Sequence, residues 1–413
     1  MRFSPRKKSA IILILITGIL IPVFIFITYI IDKEPYFIII KNNEDLEFWS
    51  SSGNGTGDNP YIIEGHHIIV PRNDYEEDYD TPCIPEESII SISGVSKSFV
   101  IQNNIFEVKG GCEGQYIIKI SDISVPFAIR NNELRGGFYA HAFSLSNING
   151  KDSIVSKNRI YSASTRLNNV HNISFIGNQF YTRGKAYSMS AYQSSNVQFI
   201  QNYCFLYSLS FRECSHILID NNIFENDETY SGWDLLYLRE IEYCTITNNT
   251  FIRGGLDWRV FTGFYPTAIV FNNIVNGKPY GFFFNQTNVV INTIKYGQIL
   301  LVKCFETTIT EQFIRDVSQP LLIENCIDST VTNSKFLDCK WVGIDIQYST
   351  NTIVSECEIE DNHYGVKGVN SHGISVNYCV FKDLQWGIQV QDCSGFIEKD
   401  NMFENVASEV TIW

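Results

Sequence analysis

The chain has 413 residues, 44 % of them hydrophobic and 14 % aromatic against 18 % charged, which is too much apolar material for a disordered protein. A formal net charge of −14 at pH 7 speaks against a nucleic-acid partner, because phosphate binding needs a basic surface. The length accommodates two average domains or one long repeat body.

The first element is apolar. From Ala10 to Ile31 there is no charged residue, a run of 22 positions, enough to span about 30 Å of hydrocarbon. Arg2, Arg6, Lys7 and Lys8 precede it, and Asp32, Lys33 and Glu34 follow. The positive-inside bias puts residues 1–9 in the cytoplasm, residues 10–31 across the membrane as a single-pass anchor, and the rest outside. A cleaved secretory signal would show a small-x-small site at its exit. Here the exit reads Tyr29-Ile30-Ile31-Asp32, so the anchor is expected to stay.

Residues 32–70 are read as a stalk and N-terminal cap. His66 and His67 sit on a strand, where neighbouring side chains face opposite ways and do not share a metal. The acidic run from Asp74 to Asp80 supplies the oxygen ligands that Ca²⁺ uses, or is simply a solvated insertion. Eleven Cys is an odd count for an exported chain. Cys83 and Cys112, in polar loops around the first repeats, are the candidate disulfide. The other cysteines recur inside the repeats as small hydrophobes. Glycosylation sequons start at Asn54, Asn172, Asn248 and Asn285, of which Asn248 falls in a turn.

After residue 90 one phrase returns: Ile101-Gln-Asn-Asn-Ile-Phe106, Ile129-Arg-Asn-Asn-Glu-Leu134, Ile219-Asp-Asn-Asn-Ile-Phe224 and Ile246-Thr-Asn-Asn-Thr-Phe251. Anchored on its second Asn, later copies fall at 334, 357, 379 and 401, spaced by 23, 22 and 22 residues. That period means a solenoid. Leucine-rich phrasing is absent, while period-two runs such as Gly343-Ile-Asp-Ile-Gln347 recur between turn residues. The expected fold is therefore all-β: a right-handed, single-stranded parallel β-helix over residues 71–413, with three short strands per coil. Its Asn positions stack about 4.8 Å apart and hydrogen-bond from coil to coil. Glu409-Val-Thr-Ile-Trp413 reads as a final strand, with Trp413 folding over the last coil or pairing with another molecule.

Two segments carry a family resemblance. Gly53-Asn-Gly-Thr-Gly-Asp-Asn-Pro-Tyr-Ile-Ile-Glu-Gly65 resembles the entry motif of surface β-helix proteins abundant in archaea. Asn276-Gly-Lys-Pro-Tyr280, followed by Tyr296-Gly-Gln-Ile-Leu-Leu-Val-Lys-Cys304, resembles their mid-domain signature. These are NosD-type proteins, also called periplasmic copper-binding β-helix proteins, related to the carbohydrate-binding and sugar-hydrolase repeat. The resemblance spans residues 46–413 and implies a pectin-lyase-like solenoid. It would also imply copper handling, but 3 Met and 7 His without a soft-ligand cluster depart from that.

Aligned coils place Leu209-Ser-Phe-Arg-Glu213 beside Leu236-Tyr-Leu-Arg-Glu240, so Arg212 should stack on Arg239 and Glu213 on Glu240, with Arg166 near by in an earlier coil. Flanking loops bring Trp233, Asp234, Trp258, Phe264 and Tyr265. Together these form a candidate carbohydrate cleft, with flat faces for sugar rings and arginines for a uronate carboxylate. Alternatively the Arg/Glu pairs are a solvated charge ladder and the aromatics pack their loops. Catalysis asks for two acids about 5 to 9.5 Å apart. The sequence offers Asp345 with Lys367 and Gln389 in its column, or Asp234, Asp257 and Glu240 near Arg239, with no motif to fix them. The expected function is thus an anchored extracellular protein that binds or displays carbohydrate or another surface partner, with no obligatory cofactor. A polysaccharide lyase or hydrolase at Arg212/Arg239 and a purely structural envelope protein are the alternatives.

Overall fold

The coils turn on a two-residue device. Asn103, Asn131, Asn221, Asn248 and Asn272 take φ between 55° and 58°, the left-handed region that Asn tolerates best after Gly. The next residue of each pair is buried and forms the ladder. The backbone N–H and Nδ2 of Asn104 both donate to Oδ1 of Asn132, at 3.0 and 2.9 Å. Those of Asn222 donate to Asn249 at 3.0 and 2.9 Å, and those of Asn249 to Asn273 at 3.0 Å each. The backbone twist and the stacking expected of one asparagine are therefore divided between two. Later coils keep the device with other residues. Lys303, Asn325, Tyr348 and Asn370 take positive φ, and Cys304, Cys326, Ser349 and Ser371 follow them as the ladder.

The structure is a computed structural model that describes residues 37–70, 88–109, 115–137, 140–162, 164–182, 189–229, 233–259 and 267–413. It is a right-handed parallel β-helix, and its contacts divide it into two compact units, Met1–Gln198 and Phe199–Trp413.

In the first unit, Ile38–Ile40, Tyr61–Glu64 and His67–Val70 pair in parallel with Ile90–Ser93, Phe99–Gln102 and Ile105–Val108. The first coil thus begins inside the segment read as stalk and cap. The helix Asn43–Trp49, capped by Asn42 accepting from the Asp45 N–H, buries Leu46 completely. Inward positions stack like on like, with Phe99 and Phe127 rings 5.4 Å apart and 7° from parallel.

In the second unit the registers Lys335↔Glu358↔Val380↔Met402 reproduce the 23, 22 and 22 residue spacing of the sequence. Phe224 stacks on Phe251 at 5.1 Å and Phe381 on Phe403 at 5.1 Å. The sheet carrying the site runs through Gln298–Val302, Leu321–Glu324, Val342–Gln347, Tyr364–Val369 and Val380–Gln391, all parallel and in register. The last described strand, Met402–Ile412, pairs in parallel with Val380–Gln391. Trp413 does not fold over this end as expected. Its N–H donates to Val390 and its carbonyl accepts from Asp392, and the side chain is left 72 % exposed.

Among the described residues no helix is long and apolar enough to cross a membrane. The expected anchor at 10–31, the acidic run at 74–80 and the Cys83–Cys112 pair lie outside those residues.

Candidate functional site

The expected arginine column is present. Arg212 is in register with Arg239, and Arg239 with Arg259. Each of the first two turns toward the acid that follows it, Arg212 to Glu213 at 3.7 Å and Arg239 to Glu240 at 3.2 Å. Glu213 and Glu240 occupy left-handed turn positions at φ 53° and 54°. These are half-exposed neighbour pairs, worth little in water. Arg166 belongs to a strand of the first unit, beside Ser144 and Ser190.

Of the aromatic half of the expected cleft, Trp258 is the one whose side chain is described. Trp258 is an inward residue, in register with Leu238, 2 % exposed, and stacked on Phe282 at 5.6 Å. Period-two alternation places it with the core and leaves Asp257 on the opposite face. Trp233 opens the strand Trp233–Arg239, and Phe264 and Tyr265 lie outside the described residues. Asp234 is held by a hydrogen bond from Ser318 Oγ. Asp257 is buried next to the Tyr280 hydroxyl, and burial and that carboxylate together hold the phenol protonated.

A different aromatic group forms further along the chain. Trp341 stacks on His363 at 5.2 Å and 14°, and Tyr364 stacks on Trp386 at 4.8 Å and 15°. The two stacks meet edge to face, His363 against Tyr364 at 4.6 Å and against Trp386 at 4.7 Å. The backbone explains the arrangement. Val342, Tyr364 and Trp386 share one column, and Gly343, Gly365 and Gly387 follow them. A Cβ on Gly365 would lie 2.3 Å from the Gly387 carbonyl oxygen and 2.6 Å from the Phe381 ring. The glycine column thus lets the coils close tightly under the rings. Trp341 remains 41 % exposed, while burial and the nearby Lys367 lower the His363 pKa, so the imidazole is neutral at pH 7. The Lys367 ammonium lies 5.3 Å from the Tyr364 ring centre and 6.0 Å from that of Trp341, within cation–π range.

Beside this platform lies a pair of buried acids. Asp345 is in register with Lys367 and then Gln389, as the sequence indicated. It is 3 % exposed and accepts from Gln319 Nε2 at 2.7 Å and Gln347 Nε2 at 2.8 Å. Glu324, one coil earlier, is 1 % exposed, and its Oε1 has no hydrogen-bond partner. Burial, then the charge on Asp345, raises its pKa from 4.5 to about 8. Ser318 joins the sites: its carbonyl accepts from Trp341 and Val342 while its hydroxyl holds Asp234.

Among the described residues no three His, Cys, Asp or Glu side chains converge as a metal site. Of the sequons, Asn54 and Asn285 are exposed. Asn172 is half-buried and accepts from Asn196 at 3.1 Å, and Asn248 donates to Asp220 at 2.8 Å.

The model for the right-handed β-helix region matches residues 284–413, the part of the chain that holds the platform and the acid pair. No curated protein matches the sequence. Among solved structures, the A-module of the Azotobacter vinelandii mannuronan C-5 epimerase AlgE4 is similar at 9 % identity, with a TM-score of 0.31 over 91 % of this chain and 95 % of that one. The Streptococcus pneumoniae surface protein and adhesin PfbA is similar at 12 % identity, with a TM-score of 0.26 over 78 % and 91 %. A PL6 alginate lyase, solved with a trisaccharide, gives 10 % identity and a TM-score of 0.24 over 92 % and 87 %.

Proposed function

We propose that the chain binds carbohydrate on the platform of Trp341, His363, Tyr364 and Trp386. The observation that carries this reading is the pair of parallel ring stacks, with Trp341 41 % exposed at their edge. Uncharged aromatic faces on a rigid sheet accept the apolar faces of sugar rings, and a few polar groups at the rim fix orientation. Lys367 supplies one such group. The Arg212/Arg239 column is a charge ladder in this reading, and the buried acids lie too deep to meet a substrate as nucleophile or base. The cationic start and the uncharged run over 10–31 support placing the platform on the outer side of a membrane.

The test is a pull-down of the full-length chain on a panel of polysaccharides, with new reducing ends followed in parallel. Trp341→Ala and Trp386→Ala should each weaken binding about tenfold, the equivalent of about 1.4 kcal/mol of ring contact. The double change Arg212→Ala/Arg239→Ala should leave it unaltered. Binding that depends on the arginines and not on the tryptophans overturns the proposal. Polysaccharide cleavage with release of new ends overturns its non-catalytic part.

A further inference from the structure

Nine cysteines are described, all free, and four of them stand one directly above another on adjacent coils. Cys304 precedes Phe305, which is in register with Ile327, so Cys326 is its neighbour in the ladder. The Cys304 N–H donates to Cys326 Sγ at 3.3 Å, and the thiols themselves donate to the Phe283 and Glu324 carbonyls at 3.3 Å each. Cys357 precedes Glu358, in register with Val380, so Cys379 is its neighbour one coil on. Adjacent parallel strands set equivalent Cα atoms about 4.8 Å apart, inside the 4.4–6.8 Å window that a disulfide spans. The other described thiols lack this arrangement. The Cys339 N–H meets Asn362, Cys204 is in register with Phe224, and Cys244 with Ile217 and Ala268.

We propose that Cys304–Cys326 and Cys357–Cys379 are two dithiol sites that oxidise to coil-to-coil disulfides, stapling two successive pairs of coils. The chemistry is asymmetric in the required sense. In each pair the adjoining sulfur favours the thiolate of one member, lowering Cys304 to about 7 and also lowering Cys379. It keeps the proton on Cys326 and Cys357, which burial raises further. The thiolate attacks a low-molecular-weight disulfide and forms a mixed disulfide, expelling one small thiolate. Its partner, deprotonated in turn, attacks that mixed bond and expels the second. Two protons leave the protein, and two electrons pass to the reagent, which ends as two thiols.

The ladder itself supplies the control variants. Ser349 and Ser371 continue the Cys304–Cys326 column, each accepting the N–H of the residue one coil before it at 3.0 Å. Ser334 precedes Cys357 in the other column and accepts from Gln312 at 3.1 Å. Serine is therefore native to both positions, and Cys304→Ser and Cys357→Ser should fold.

The experiment incubates the full-length chain with glutathione disulfide, once folded and once during refolding from urea, so that burial cannot hide the thiols. Free thiols are then alkylated and peptides mapped. Linked peptides 304–326 and 357–379, alkylated Cys204 and Cys339, and a rise in Tm that vanishes on reduction are expected. The rise should be absent in Cys304→Ser/Cys357→Ser. Four alkylated thiols in both arms, linkage to other cysteines, or an equal Tm rise in the double variant would each overturn the proposal. Polysaccharide binding plays no part in the readout.

Discussion

Glu324 is the residue whose replacement should speak most directly about the site. Its carboxyl is 1 % exposed beside Asp345, and burial followed by that charge carries its pKa from 4.5 to about 8. Between those values the native chain holds a proton that the unfolded chain has released. The stability this proton provides is complete below about pH 4.5 and is lost as pH rises through about 8. At 1.36 kcal/mol per unit the whole loss amounts to about 5 kcal/mol, of which about 3 has gone by pH 7. Glu324→Gln keeps the shape and remains neutral throughout. At pH 5 its urea midpoint should match the parent to within about 1 kcal/mol, the worth of one altered hydrogen bond. At pH 9 the variant should be the more stable by about 2 to 5 kcal/mol. Circular dichroism melts in urea at pH 5, 7 and 9 measure this. A difference between the two proteins that stays constant across that range would refute the reasoning.

Asn249→Ala should cost about 2 to 4 kcal/mol in the same assay, because it strips partners from the buried Asn222 and Asn273 side chains and from the Ile219 carbonyl. Asn249→Ser should recover part of that, as serine serves the ladder in later coils. Gly365→Ala forces a Cβ against the Gly387 carbonyl and the Phe381 ring, and should lower stability by about 1 to 3 kcal/mol while weakening polysaccharide binding. Phe224→Ala, which opens the stack with Phe251, should cost about 3 to 5 kcal/mol. Arg239→Ala should change the urea midpoint by less than about 1 kcal/mol, since its pair with Glu240 is solvated.

The coil period and the stacking partners were legible because a one-coil repeat aligns residues directly. The Arg212↔Arg239 and Asp345↔Lys367↔Gln389 columns follow from the sequence spacing alone. Trp258 was misplaced for want of one fact: which face of its strand looks inward. Alternation would have supplied it, since Trp258 follows Phe211 and Leu238 in an apolar column. The aromatic platform was missed for a different reason. Stepping back three residues from the Asp345 column gives Val342, Tyr364 and Trp386, and four gives Trp341 and His363. The signal is present, but the stacks cross between two columns and show only in three dimensions. Glu324 was invisible because an outward position in a strand is expected to be wet. Here the outward Leu322, Glu324 and Asp345 are all under 5 % exposed.

In a solenoid each coil leans on its neighbours, so stability is a sum of interface terms rather than a property of one core. The interfaces of this sheet differ in chemistry. The coils of Gln298–Val302 and Leu321–Glu324 are joined through Cys304 and Cys326. Those of Val342–Gln347 and Tyr364–Val369 are joined through Cys357, Cys379 and the Trp341–His363 stack. Between the two lies the interface that sets Glu324 against Asp345. Ionising Glu324 places two like charges in a buried space, and the cost falls on that one seam. The interface of Tyr364–Val369 with Val380–Gln391 instead carries the Tyr364–Trp386 stack, and neither ring ionises over the same range. Amide exchange at Ile323 and Ile346, the inward residues of the seam, should therefore accelerate above pH 8 beyond the intrinsic rate. Exchange at Val366 and Ile388, two interfaces further on, should follow the intrinsic rate alone. Equal acceleration at all four would mean that the coils open together and that the seam has no separate existence.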